Sequence, residues 1–261
     1  MDHTSDQYKA VVQAIEYMKR NLDKEITSEE LASLVGYSHY HFSRIFKEIT
    51  GVSPRHYLSA LRIESAKQIL VNRSSSTMLH TLLSVGFRSM GTFSSRFKQY
   101  VGLSPKQFQV NVKPLHQFIN QQENNIKPLE DSRPSPVLTC YIEFPESFKG
   151  LIFVGLFPRP IPDQKPLQGI VLNHHQSKCL FSNIPTGTYY VLAATLPISF
   201  NPRDYFLLDR VLRGKYEYPI KVTDCTNTEI RITLREPLPT DPPILVNLPQ
   251  LLFEQKKDKA N

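Results

Sequence analysis

The chain has 261 residues, 40% of them hydrophobic, and a formal net charge of +7. That length accommodates two compact domains with cores of their own. The longest apolar runs, "LIFVGLF" and "YYVLAATLP", are strand-length and fall far short of the ~20 residues that cross a bilayer. No basic stretch in "MDHTSDQYKA" leads into an apolar one, so no secretory signal is expected. Three cysteines without a C-x-x-C pair, Cys140, Cys179 and Cys225, read as reduced thiols in the cytoplasm.

The charge is unevenly spread. From His39 to His116 there are eleven Lys and Arg against two acids, an excess of +9, whereas from Lys127 onward 16 basic and 14 acidic residues leave only +2. A basic excess confined to one half points to a polyanionic partner there.

The apolar spacing is helical as far as about Gln122. In "DQYKAVVQAIEYMKRNL", Tyr8, Val11, Val12, Ile15, Met18 and Leu22 form one stripe at three- and four-residue steps. "TSEELASLVGY" follows, with Thr27 and Glu30 spaced as a capping box and Gly36 as a stop. Ser38 is placed to cap the next helix, "HYHFSRIFKEIT", which ends at Gly51. Pro54 opens "SPRHYLSALRIESAKQILVN", whose stripe runs through Leu58, Leu61, Ala66 and Leu70. After "RSSST" the cycle repeats: "TMLHTLLSVGF" to Gly86, "SMGTFSSRFKQYV" to Gly102, then "SPKQFQVNVKPLHQFI".

The repetition is explicit in "FSRIFKEITGVSPRHY" (Phe42 to Tyr57) and "FSSRFKQYVGLSPKQF" (Phe93 to Phe108). They lie fifty-one residues apart and are identical at seven of sixteen positions. A helix, a Gly-containing turn and a second short helix make a helix-turn-helix unit, whose second helix can enter the major groove. Two units joined by a helix of about seventeen residues, ~25 Å long, would place two recognition helices on the scale of one DNA turn, about 34 Å.

The stretch from residue 8 to about 112 resembles the DNA-binding domain of the AraC/XylS family of bacterial transcription regulators. The matching elements are "LASLVGYSHYHFSRIFKEITGVSPRHYL", "LRIESAKQIL" and "VGFRSMGTFSSRFKQYVGLSPKQF". The second copy carries the family's one-residue insertion between Gly86 and Phe93. Three departures stand out. Leu82 replaces the small residue present as Ala32 in the first unit. Arg44 fits the family's arginine position, but the second unit has Ser95 there and Arg96 one step later, ~100° round the helix. The domain also comes first in the chain, whereas the family more often carries it last.

The resemblance and the helical register together nominate the DNA-facing residues. Base contacts are expected from His39, Tyr40, Ser43, Arg44 and Lys47 in the first unit, with Arg44 the strongest because guanidinium can donate twice to guanine. For Tyr40 the alternative is packing on the preceding helix. In the second unit the matching face is Met90, Gly91, Thr92, Ser95 and Arg96. It is smaller and suited to thymine methyls at most, so the first unit should dominate sequence preference. Ser38, Arg88, Ser89, Lys98 and Lys106 are expected at phosphates, which give affinity without sequence information. Phe42, Phe46, Phe93 and Phe97 are expected in the core.

The polar, proline-containing run 120–136 reads as a linker. Beyond it the period changes to that of strands: "VLTCYIEF", "GLIFVGLF", "QGIVLN", "KCLFSNI", "TYYVLAATL", "PIKVTD", "TEIRITLRE" and "ILVNLP". Eight such runs predict an all-β antiparallel sandwich. "CLFSNIPTGTYYVLAATL" resembles the strand–turn–strand of transthyretin-like or carboxypeptidase-regulatory-like sandwiches; a gyrase-inhibitor-like effector domain is the rival. The expected organisation is therefore an all-α tandem helix-turn-helix domain at 1–119, a linker at 120–136, the sandwich at 137–254 and a charged tail at 255–261.

No catalytic constellation stands out. The adjacent His174 and His175 would point to opposite faces of a strand and lack a third metal ligand, so a loop pair is expected and not a site. Asp204 and Asp209 sit among Arg203, Arg210 and Arg213 as a solvated charged segment, and G-x-S-x-G, phosphate-loop and H-E-x-x-H motifs are absent. The chain is expected to be a DNA-binding transcription regulator and not an enzyme, with no cofactor or metal. Its partners would be double-stranded DNA, RNA polymerase through the activation that the resemblance implies, and a small-molecule effector or a second copy through the sandwich. The alternatives are a ligand-binding or enzymatic module on a DNA anchor, and a non-specific architectural DNA binder.

Overall fold

The computed structural model describes residues 5–72, 77–120, 137–201 and 203–258. They form two compact units, one of Met1–Val110 with Leu238–Val246 and the other of Asn111–Pro237 with Asn247–Asn261. The linker expected at 120–136 lies outside the described residues except for Asn120, which ends a helix.

In the first unit the helices are α1 Ser5–Arg20, α2 Ser28–Leu34, α3 His39–Thr50, α4 Pro54–Asn72, α5 Met78–Ser84, α6 Met90–Val101 and the start of α7 Pro105–Asn120. Their ends follow from local chemistry. The Thr27, Ser38, Thr77 and Ser89 hydroxyls each accept a hydrogen bond from the backbone amide three residues on, satisfying donors that a helix start leaves unpaired. Gly51 and Gly102 close α3 and α6 at φ 83° and 88°, a left-handed conformation that a Cβ disfavours. The capping box forms only in part. Thr27 accepts from the Glu30 amide, but the Glu30 carboxylate accepts from Tyr17 Oη at 2.6 Å and so ties α2 back to α1.

The two halves of the unit repeat their cores as well as their caps. Phe42, Phe46 and Tyr57 form a chain of tilted and edge-on rings with centroids 5.5 Å apart. Phe93, Phe97 and Phe108 reproduce it at 5.7 and 5.5 Å. All six side chains are buried, and such pairs each add roughly 0.5–1.5 kcal/mol beyond area burial. Helix α4 lies between the halves, and its buried residues Tyr57, Leu58, Ala60, Leu61, Ile63, Ala66, Lys67 and Leu70 run round much of its circumference. That is the pattern of a helix covered on several sides.

One polar contact fixes the second half. Arg62 of α4 donates from Nε to the Leu22 carbonyl at 3.0 Å and from Nη2 to the Lys24 carbonyl at 2.6 Å. Gly86 closes over this contact at φ 78°. A Cβ there would stand 2.2 Å from the Leu22 oxygen and 2.9 Å from Arg62 Nη2. Partial burial, followed by the positive charge of Arg88, holds the Arg62 pKa below the usual guanidinium range.

The second unit is β-rich, as the sequence predicts. Its strands are β1 Val137–Glu143, β2 Gly150–Phe157, β3 Gln168–Asn173, β4 Lys178–Ser182, β5 Gly187–Pro197, β6 Arg213–Lys215, β7 Ile220–Val222 and β8 Asn227–Thr233. They make a three-stranded sheet, β4-β1-β8, and a larger sheet, β3-β2-β5-β6, with β7 also pairing β5. Alternating residues of both sheets, among them Leu138, Ile142, Val154, Leu156, Val191 and Ile232, meet in one core, the arrangement of a sandwich.

Three features depart from expectation. The pairs are antiparallel except that β1 and β8 run parallel, Val137 against Asn227 to Glu143 against Thr233. Parallel neighbours need a crossover, and the chain makes it through the whole opposite sheet. Every residue of β2 is buried, and helices accompany this sheet: α8 Arg203–Phe206 packs on β5 and on α9 Leu248–Asp258. The last half of α7 joins this layer, with Phe118 edge-on to Phe253 and His116 5.0 Å from Tyr205. Helix α9 therefore starts inside the region read as sandwich and runs into the expected tail. Finally, "ILVNLP" is not a strand. Ile244, Leu245 and Val246 are buried irregular chain that belongs to the first unit.

Gly36 and Gly86 separate two penalties. Gly36, at φ 74°, has nothing within 4 Å of an added Cβ, so Gly36→Ala should cost only the left-handed strain, roughly 1–2 kcal/mol. Gly86→Ala adds collision with backbone and should cost at least about twice as much. Urea denaturation of the full chain measures both; equal losses would mean that the Leu22–Arg62 contact yields freely.

Candidate nucleic-acid interface

The start of α3 is held open to solvent by its cap. Ser38 Oγ accepts from the His41 amide at 3.4 Å, and His39, Tyr40, Arg44 and Lys47 are exposed while Ser43 is half-buried. Tyr40 is 82% exposed, which rules out packing on the preceding helix. His41 instead stacks on Tyr37, with ring centroids 5.2 Å apart. Arg44 Nη1 donates to Glu48 Oε1 at 2.9 Å, and its side chain stays 49% exposed. An exposed pair four residues apart on a helix is worth roughly 0.3–0.5 kcal/mol. A guanidinium on guanine contributes about 1–3 kcal/mol of discrimination, more than this pair supplies, so the Glu48 contact leaves Arg44 available.

Helix α6 repeats the register with different side chains. Met90, Gly91, Thr92, Ser95 and Arg96 are exposed, so each nominated position faces solvent. Gly91 stands where α3 has Tyr40, and nothing lies within 4 Å of where its Cβ would be. The Thr92 hydroxyl accepts from the capping Ser89 Oγ at 2.9 Å, and Arg96 Nη1 donates to Gln99 Oε1 at 3.2 Å. The second face is thus flatter and partly engaged in its own cap.

The phosphate candidates divide. Arg88, Lys98 and Lys106 are exposed, and Arg88 pairs with Glu25 at 3.1 Å with both side chains more than three-quarters exposed. Ser38 and Ser89 are exposed as residues, but their hydroxyls are engaged as caps. Lys47 and Lys98 occupy the same register, and each offers its carbonyl to the closing glycine amide. Arg55, exposed at the start of α4, corresponds to Lys106 and was missed as a site residue. The fifty-one-residue repeat is the signal that finds it.

In the second unit His174 and His175 form a loop pair. They lie in the β3–β4 turn with ring centroids 4.0 Å apart, beside Glu143, Glu146 and Lys149 in a cleft of about 490 Å³. Among the described residues no group of three metal-ligating side chains comes together, and no helix is long and apolar enough to cross a membrane.

Residues 31–111 match the family model described as "Helix-turn-helix domain". The chain is 27% identical over 191 residues to YkgA of Escherichia coli K12, whose name places it among HTH-type transcriptional regulators; the match covers 70% of this chain and 73% of that protein. It is 34% identical over 98 residues to SAS0078 of Staphylococcus aureus MSSA476, named in the same class, covering 38% of this chain but only 13% of the relative. Among solved structures, an AraC-type regulator from Chromobacterium violaceum aligns with 40% of this chain and 92% of its own, at 26% identity and a TM-score of 0.38. With the duplicated caps, turns and aromatic cores, the family-model match makes residues 31–111 a helix-turn-helix domain.

Replacing the cap hydroxyls tests which role they serve. Ser38→Ala and Ser89→Ala should each cost about 1 kcal/mol of stability, and the glycine replacements only a few tenths. Denaturation of the full-length variants measures this; a neutral Ser→Ala would contradict the capping role.

Proposed function

We propose that the chain is a sequence-specific DNA-binding transcription regulator that sets α3 and α6 into two successive major grooves. The observation that carries this reading is an exposed, capped helix face presented twice in one register on either side of α4. The 19 residues of α4 extend ~28 Å, on the scale of a DNA turn of about 34 Å. A dimeric reader obtains that spacing from two subunits; here one chain supplies both heads.

The two heads contribute unequally. On α3, Arg44 reads guanine, Tyr40 reaches a base edge or thymine methyl, and His39 and Ser43 flank them. On α6, Met90, Gly91, Thr92, Ser95 and Arg96 present a shallower surface that follows groove shape more than base identity. Arg55, Arg88, Lys98 and Lys106 serve phosphates, and Lys47, at the register of Lys98, serves the backbone as readily as a base. The β-rich unit would modulate binding through a small effector or a second copy, and the cleft beside His174, His175 and Lys149 suits a small polar ligand. Activation through RNA polymerase extends the same reading.

Selection of bound duplexes from a random library, with the full chain at near-physiological salt, tests it. Two half-sites about one turn apart are expected; no enriched motif would point to a non-specific binder. On the selected duplex, Arg44→Ala should cost roughly 1–3 kcal/mol and relax one base position. Lys98→Ala should weaken all sequences alike and lower the salt slope by about one. Equal losses for Arg44→Ala on selected and random DNA would contradict its role.

A further inference from the structure

Segment 238–246 comes after the last strand of the β-rich unit, and the chain returns to that unit at Asn247, yet the segment itself belongs to the helical unit. Its attachment to α4 is built. Tyr57 Oη donates to the Asp241 carbonyl at 2.8 Å. Lys67 Nζ donates to the carbonyls of Ile244 and Leu245 at 3.3 and 3.4 Å. Lys67 is 2% exposed, and Thr240, Ile244, Leu245 and Val246 are all buried. A buried ammonium requires acceptors, and the segment's backbone supplies two of them.

The repeat makes this attachment specific. Tyr57 and Phe108 are equivalent in the two aromatic chains, and the hydroxyl that distinguishes them is the group bonded to Asp241. The anchors lie ten residues apart on α4, ~15 Å along its axis. The segment therefore engages most of the length of the helix that separates the recognition helices. It leaves the faces of α3 and α6 open, since Tyr40, Arg44, Met90 and Ser95 are exposed with the segment in place.

We infer that 238–246 is a splint on α4 that sets the spacing of the two recognition helices. The spacing part rests on the two-groove reading above; the splint itself does not. A device of this kind acts by holding α4, not by masking the DNA-facing surface.

The test uses the full chain with Tyr57→Phe, which keeps the ring, and Lys67→Met, which keeps the stem. Hydrogen exchange of α4 amides should quicken by about tenfold in each variant while α1 stays protected. Unchanged α4 exchange overturns the inference whatever the DNA shows. Binding is then compared on duplexes with the selected half-site spacing and with one base pair added or removed. The variants should lose spacing preference by about threefold or more. A wild type that prefers one spacing and variants that prefer it equally would overturn the coupling. A wild type with no spacing preference overturns the two-groove reading and the coupling built on it, and leaves the exchange result to decide the splint.

Discussion

A single guanidinium organises the helical unit. Arg62 projects from the helix between the two helix-turn-helix copies, spends donors on the Leu22 and Lys24 carbonyls, and lies under a turn that tolerates no Cβ at Gly86. The α1–α2 connection, α4 and the turn before α6 meet at that point. Hydrogen bonds from a charged donor contribute about 1.5–3 kcal/mol, a large fraction of the stability of a domain this size. The first copy has no such crowding at Gly36, so the duplication is symmetric in its caps and aromatic cores but not in its supports.

The same asymmetry runs outward to the surface. On α3 a large exposed aromatic and a guanidinium stand on the outer face, while α6 offers a glycine at one of those positions and a serine at the other. Under the proposed two-groove reading, chemistry that distinguishes bases is concentrated on α3 and α6 supplies a second foothold. A reader built this way would gain affinity from both grooves and most of its discrimination from one.

What could be read from the sequence was whatever is encoded locally. Thr27 and Ser38 cap helices because of chemistry three residues away, Gly51 and Gly102 end them through their own φ, and the phenylalanines repeat because the packing repeats. The nominated DNA-facing residues lie on exposed turns for the same reason: helical register is a short-range property. Long-range partners were not legible. Arg62 bonds to residues 38 and 40 positions away, and Lys67 to carbonyls 177 and 178 positions away. The run "ILVNLP" is apolar because α4 buries it, and burial alone gave it the look of a strand. The parallel β1–β8 pair was equally hidden, since strand composition does not record direction. Arg55 was within reach of the repeat, as the counterpart of Lys106.

The two-headed reading is tested most directly by hydroxyl-radical footprinting of the full chain on a selected duplex. It predicts two protected backbone patches centred about one helical turn apart on one face of the DNA, with Arg44→Ala thinning only the patch under α3. One continuous protected stretch, or a single patch unaffected by substitutions on α6, would contradict it.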